Sequence, residues 1–185
     1  ERSVGLADGQ RVFGLSPTPY QEALIGEAFA SAEDGEVAEI GLAGQQFMGQ
    51  LCRLLGPRGG ALLTIDYGYA HTQPGETLQA LARHAPVDPL AQPGAADLTT
   101  HVDFEALGRA GRMAGLTVHP IVTQGRFLTS LGLAERHSAL ATANPQKAAS
   151  LASAFDRLTR ADQMGELFKV LCAASPGLRP AGFPA

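Results

Sequence analysis

Two short polar strings in this 185-residue chain hold the side chains best suited to chemistry. One is Asp66-Tyr67-Gly68-Tyr69, and the other is Ala96-Asp97-Leu98-Thr99-Thr100-His101-Val102-Asp103. Carboxylates can hold a cationic group through paired hydrogen bonds or accept a proton from it, while phenols and an imidazole orient a substrate. Both strings also have a plainer reading. Asp66 could cap a following helix, and Asp103 could cap the helix that starts beside it, with no chemistry in either case.

Other catalytic arrangements are missing from the sequence. The histidines His71, His84, His101, His119 and His137 form no His-Glu-x-x-His pattern and pair with no cysteine at ligand spacing, so no metal is expected. There is no Gly-x-Ser-x-Gly elbow. Cys52 and Cys172 sit in apolar surroundings, as buried free thiols of a reducing compartment do. Gly56-Pro57-Arg58-Gly59-Gly60 precedes an apolar run, whereas phosphate-binding glycines follow a strand.

The elements that must position these residues read as an α/β fold. Ile40, Ala43, Phe47, Leu51 and Leu54 recur at helical spacing, which predicts a helix over Val37–Leu55 buried along that stripe and ended by Gly56-Pro57. Ala61–Ile65, apolar on both faces, reads as a central strand of a parallel sheet that stops at the Asp66–Tyr69 tip. Ligands of such sheets sit beyond the carboxyl ends of the strands, which favours that tip.

A short helix is expected over Glu76–His84, then a long loop over 85–100. The next helix starts at Asp103, lines one face with Phe104, Leu107, Gly111 and Ala114, and closes at Gly115. Leu116–Val122 reads as an edge strand because of Pro120. Residues 126–140 look irregularly helical. Asn144-Pro145 opens a helix with a buried stripe of Ala148, Leu151, Phe155 and Leu158, and Glu166–Cys172 is the last strand. Residues 1–15 look extended, Pro17 and Pro19 interrupt regular structure, and 176–185 read as a loose tail.

Composition narrows the class. A hydrophobic fraction of 45% and a mean hydropathy near zero describe a globular chain of one domain. No run approaches the ~20 apolar residues of a membrane span. The net charge is −4 and the bases are scattered, so nucleic acid is a poor partner. Twelve of the 14 bases are Arg, as a bacterial codon bias would give. Glu1-Arg2-Ser3-Val4 has neither an initiator Met nor a signal-peptide pattern, so the chain is expected to begin inside a longer protein.

Several strings then follow in a recognisable order. They include Gly59–Gly68, Gly75–Ala80, Asp88–Leu90, Pro93-Gly94, Ala96–Phe104, Thr123–Gly125, Phe127-Leu128, Leu131-Gly132 and Met164–Leu171. Together they resemble the MidA-like family of class I S-adenosylmethionine-dependent methyltransferases, over residues 1 to about 175. The Asp-Leu-Thr-x-His-Val-Asp-Phe string is the most specific of them.

The resemblance implies the carboxy-terminal part of a Rossmann-like sheet. Ala61–Ile65 would be its fifth strand, Leu116–Val122 its sixth and Leu167–Cys172 its antiparallel seventh, with 124–160 a helical insertion. The family's Gly-rich cofactor loop, acidic ribose ligand and fourth strand would all lie upstream of Glu1, so no cofactor-binding residue can be carried over. Tyr69 stands where relatives often have His.

The resemblance further implies S-adenosylmethionine as cofactor. Its mitochondrial members methylate arginine on a core subunit of respiratory complex I during assembly. A bacterial member would be cytoplasmic and a eukaryotic one mitochondrial. On this reading Asp66, Asp97 and His101 are the catalytic candidates, and Tyr67, Tyr69, Asp103 and Gln124 line the acceptor pocket. A small-molecule methyltransferase and a non-catalytic assembly module remain the alternatives.

Overall fold

Asp8 and Gly9 take positive φ values of 50° and 76°, the geometry of a tight two-residue hairpin turn. That turn joins strand β1 (Arg2–Ala7) to strand β2 (Gln10–Leu15) in an antiparallel pair. The structure, a computed structural model, describes residues 1–17, 26, 29, 30 and 32–184. The break expected at Pro19 lies outside the described residues. Where the sequence suggests one domain, the chain gathers into two compact units, one of residues 1–40 and 73–101 and the other of 41–72 and 102–185.

In the first unit the helix expected over Glu76–His84 is instead a second hairpin. Strand β4 (Gln79–Ala82) pairs antiparallel with β5 (Ala85–Val87) across Arg83 and His84, whose φ angles are 52° and 64°. Neither residue type announces such a turn, so nothing local marks the hairpin. β6 (Asp97–Thr99) pairs with the other edge of β4, giving the order β5-β4-β6. The long loop therefore shrinks to residues 88–96. In the other hairpin, the Arg2 guanidinium lies 4.4 Å from the Phe13 ring centre and bonds Glu76 at 2.6 Å.

The second unit carries the main sheet. Helix α1 spans Leu42–Leu55 and leads into strand β3 (Ala61–Tyr69), so the helix starts five residues later than its apolar pattern suggests. Strand β7 (Val102–Asp103) precedes helix α2 (Phe104–Met113). Strands β8 (Thr117–Val118) and β9 (Val122–Thr123) follow, split where Pro120 interrupts the expected single strand. Helices α3 (Gln124–Ser130), α4 (Leu133–Ala143), α5 (Ala148–Thr159) and α6 (Met164–Leu167) lead to strand β10 (Phe168–Ala174).

β10 is central. It runs antiparallel to β3 on one side and to β8 and β9 on the other, in the order β7-β3-β10-β8. Val170 through Ala174 are buried, as a strand covered on both faces requires. On one face Leu171 and Ala173 pack with Met48, Cys52, Phe104 and Leu116. On the other, Val170 packs with Val122 and Phe127. Phe104 and Leu171 are fully buried, each worth about 1.5–3 kcal/mol of transfer free energy.

Three local expectations change. Asn144-Pro145 opens a 3-10 turn over Pro145–Lys147 that runs into α5, but the Asn144 side chain does not cap it: its amide donates back to the Leu140 carbonyl at 3.1 Å and closes α4. The carboxyl-terminal tail is docked, because Phe183 meets Phe127 at a ring separation of 5.3 Å. The third change concerns α1. Its buried residues are Met48, Gly49 and Cys52, whereas Phe47 and Leu54 of the expected stripe are 61% and 56% exposed. The helix is apolar over a wider arc than the described residues cover.

Candidate active site

The carboxyl end of β3 is built around one glycine. Gly68 crosses Val102 of β7 in parallel register so closely that a Cβ there would collide with the Val102 carbonyl and lie 2.8 Å from its nitrogen. Only a residue without a side chain permits the crossing. The expected polar tip is thus not a turn: Asp66 to Tyr69 continue the strand. The plain reading of Asp66 as a helix cap is excluded with it.

Asp66, Tyr67 and Tyr69 are half-buried at this end. Asp66 Oδ1 accepts the Tyr67 N–H at 2.8 Å. The Tyr67 ring stands edge-on to Phe168 of β10 with centres 5.6 Å apart. The cross-strand partner of Asp66 is Lys169, which shares its face of the sheet. The Lys169 ammonium donates to the carbonyls of Glu166 at 2.5 Å and Leu167 at 3.3 Å, and burial lowers its pKa from the usual lysine value. Sequence reasoning passed over Lys169, because only strand register brings it beside Asp66.

Beyond Tyr69 the chain is tied to the start of α2. Asp103 Oδ1 accepts the Ala106 N–H at 2.9 Å and caps the helix, while Oδ2 accepts the Thr72 hydroxyl at 2.7 Å. Thr72 N–H donates to Glu105 at 2.7 Å, and Arg109 donates to the Thr72 hydroxyl at 3.3 Å. The Thr72 N–H is the main cause holding the Glu105 carboxyl below its usual pKa, with the Arg109 charge adding to it against a desolvation penalty. Asp103 is accordingly a positioning residue with both oxygens engaged.

Gln124, expected in the acceptor pocket, is buried, and its side-chain amide donates to the Leu158 carbonyl at 3.0 Å. It ties the start of α3 to the end of α5. Two glycines of the recognised strings serve the same junction. A Cβ on Gly125 would lie 2.6 Å from the Thr159 carbonyl oxygen, and one on Gly165 would lie 2.6 Å from that of Arg160.

Asp97 and His101 belong to the other unit. Asp97 is exposed on β6, opposite Leu81. The His101 N–H donates to the Thr77 hydroxyl oxygen at 2.8 Å, and that hydroxyl donates in turn to the Glu39 carboxylate. Glu39 also accepts the Thr77 N–H at 2.9 Å. Glu39 and Thr77 thus fix the backbone at His101, and no short-range signal in the sequence links them.

Among the described residues no group of three His, Cys, Asp or Glu side chains could hold a metal ion. Cys52 and Cys172 are buried free thiols, each pushed up in pKa by desolvation. Carboxylates and phenols are therefore the chemical groups at the carboxyl end of β3. Such groups bind and orient a cation and can receive a proton from it.

A model of a family described as putative S-adenosyl-L-methionine-dependent methyltransferase matches residues 1–122. The chain is 36% identical over 143 residues to the mitochondrial protein arginine methyltransferase NDUFAF7 homolog of Drosophila melanogaster, covering 76% of this chain and 32% of that protein. It is 37% identical over 112 residues to mitochondrial NDUFAF7 of Danio rerio, covering 60% of this chain and 26% of that protein. The chain thus spans about a quarter to a third of the length of these relatives. A Burkholderia thailandensis protein solved with S-adenosyl-homocysteine superimposes with a TM-score of 0.81 at 28% identity, over 98% of this chain and 48% of that one. A second structure from that organism gives a TM-score of 0.77 at 30% identity, over 97% and 50%.

Proposed function

The chain belongs to the family of putative S-adenosyl-L-methionine-dependent methyltransferases, and on that premise we propose that it is the acceptor-binding portion of a protein arginine methyltransferase. The observation that carries this reading is the half-buried Asp66 at the carboxyl end of β3, with Tyr67 and Tyr69 on the other face of the strand, in a chain whose curated relatives are named protein arginine methyltransferases.

S-adenosylmethionine, when bound, supplies an electrophilic methyl group. The Gly59-Gly60 pair, with φ of 73° and 137°, lies at the amino end of β3, opposite the end where such sheets hold ligands. The cofactor-binding part is assigned to family sequence that this chain does not match. What this chain contributes is hold on the acceptor. A carboxylate at Asp66 can take paired hydrogen bonds from a guanidinium and fix the nitrogen that is to be methylated, and orientation of this kind supplies much of the rate. Asp97 and His101, in the other unit, are assigned as catalytic candidates on the family resemblance of their string.

A core subunit of respiratory complex I is the proposed protein acceptor in a eukaryotic setting, where the relatives are mitochondrial. Among the described residues no helix is long and apolar enough to cross a membrane. The test is labelled methyl transfer to arginine-containing protein by the complete enzyme. Asp97→Ala and His101→Ala are expected to abolish transfer while leaving cofactor binding intact, and wild-type rates in both would refute the assignment. Calorimetry of S-adenosylmethionine against this chain alone is expected to show no binding.

A further inference from the structure

Two opposite charges meet at the candidate site without joining. Lys169 stands directly across from Asp66 in the β3–β10 ladder, and the Cβ atoms of such pairs are about 5 Å apart. No ion pair links the two among the described residues. The Lys169 ammonium turns instead to the carbonyls of Glu166 and Leu167. α6 ends at Leu167, and the last carbonyls of a helix have no intrahelical donor, so they offer the ammonium two open acceptors.

The reach has a direction. Glu166 and Leu167 lead into Phe168, whose partner across the ladder is Tyr67. Lys169 therefore leans from the level of Asp66 toward the carboxyl end of β3, where α6 also packs against that strand. It is half-buried, so its charge is less screened than in open water. Glu166, the ionised group that acts on it from α6, is exposed and damped by solvent. Asp66 Oδ1 takes the Tyr67 N–H, and among the described residues Oδ2 accepts no hydrogen bond.

A fixed cation beside an acceptor-binding carboxylate repels an incoming guanidinium and so weakens the hold of Asp66 on it. The methylated product is a guanidinium of the same charge and is repelled equally. Binding energy shared by substrate, transition state and product does not speed the chemical step. An excess of it delays product release, which limits turnover in many enzymes.

On the reading of Asp66 as the acceptor carboxylate, we propose that Lys169 is a positioning residue. Held by the α6 carbonyls, it limits the grip of Asp66 on a cation and lets the methylated arginine leave. At the effective dielectric of a protein surface, a unit charge this close changes the binding of another by about tenfold or more.

The test compares Lys169→Met, which keeps the stem and removes the charge, with Lys169→Arg, which keeps the charge. In the complete enzyme, Lys169→Met should lower KM for an arginine-containing protein about tenfold and strengthen inhibition by the methylated product by the same factor. kcat should not rise, and Lys169→Arg should retain the wild-type KM. Loss of a structural tether alone would lower Tm and raise KM, the opposite sign. A level or raised KM in Lys169→Met overturns the proposal, as does a Lys169→Arg enzyme that behaves like Lys169→Met. Binding is read separately on this chain, with methylguanidinium as the probe and the Tyr67 amide as the NMR reporter. If the wild-type enzyme transfers no methyl to arginine, the acceptor reading fails and this titration decides alone. Tighter binding in Lys169→Met then upholds the role of Lys169, and equal binding, or none, overturns it.

Discussion

Gly68→Ala is the sharpest test of how the β3 end is built. The added methyl would collide with the Val102 carbonyl and sit 2.8 Å from its nitrogen and 2.9 Å from its carbonyl carbon. Ordinary carbon contacts are about 3.5–4.0 Å, so β7 must retreat by more than an ångström. These are backbone atoms in a paired strand, and no rotamer change relieves the clash. The movement pulls on Asp103, the next residue, whose carboxylate caps α2 at 2.9 Å and holds Thr72 at 2.7 Å. Overpacking strain of about 1–3 kcal/mol plus about 1 kcal/mol for a weakened cap gives a loss of about 2–4 kcal/mol. For a chain of this size that is a fall in Tm of about 4–16 °C. Urea unfolding of the variant beside Gly14→Ala, whose added methyl meets nothing within 4 Å, isolates the contact. A Gly68→Ala chain within about 0.5 kcal/mol of the Gly14→Ala control would show that β7 does not press on β3 as described.

Thr77→Val should cost about 1–3 kcal/mol, because it strips the His101 N–H of its acceptor and Glu39 of a donor, and hydrogen exchange at His101 should speed up. An unchanged exchange rate there would remove Thr77 from the account. Glu105 has its folded pKa held below the ordinary carboxylate value, so its contribution is complete above that value and disappears as pH falls through the folded pKa. Glu105→Gln should flatten the acid limb of stability against pH, and an equally steep limb in the variant would contradict the Thr72 interaction. Cys52 and Cys172, buried and raised in pKa, should resist iodoacetamide at neutral pH until the chain is unfolded, as mass spectrometry of native and denatured samples will report.

What the sequence disclosed was what acts over a few residues. The Asp103 cap is readable because its acceptor and the Ala106 donor are three positions apart. The half-buried stripe of α5 follows Ala148, Leu151, Phe155 and Leu158 as its spacing suggests. Periodicity fails where a short segment has two solutions, and Gln79–Val87 turns on Arg83-His84, residues that carry no turn signature. Register and long-range ties are invisible in the same way. Lys169 comes beside Asp66 across 103 positions, and Glu39 meets Thr77 across 38. The α1 stripe is the instructive case. Phe47, Leu51 and Leu54 share the helix that their spacing predicts, but among the described residues nothing covers Phe47 and Leu54.

The recognised string from Asp97 to Phe104 therefore divides by what the fold already asks of it. Val102 pairs with Gly68, Asp103 caps α2 and holds Thr72, and Phe104 is wholly buried in the core. Each of these is accounted for by stability, so a substitution there reports on folding first and on chemistry only through it. Asp97 differs: it is exposed on a short strand, and its backbone, not its carboxylate, makes the sheet. Loss of transfer in Asp97→Ala at unchanged stability would thus be chemical evidence, whereas the same loss in Asp103→Ala would not. The identity of the acceptor is best pursued from Asp97, where function can be separated from fold, whereas the Asp66 carboxylate also accepts the Tyr67 N–H within β3.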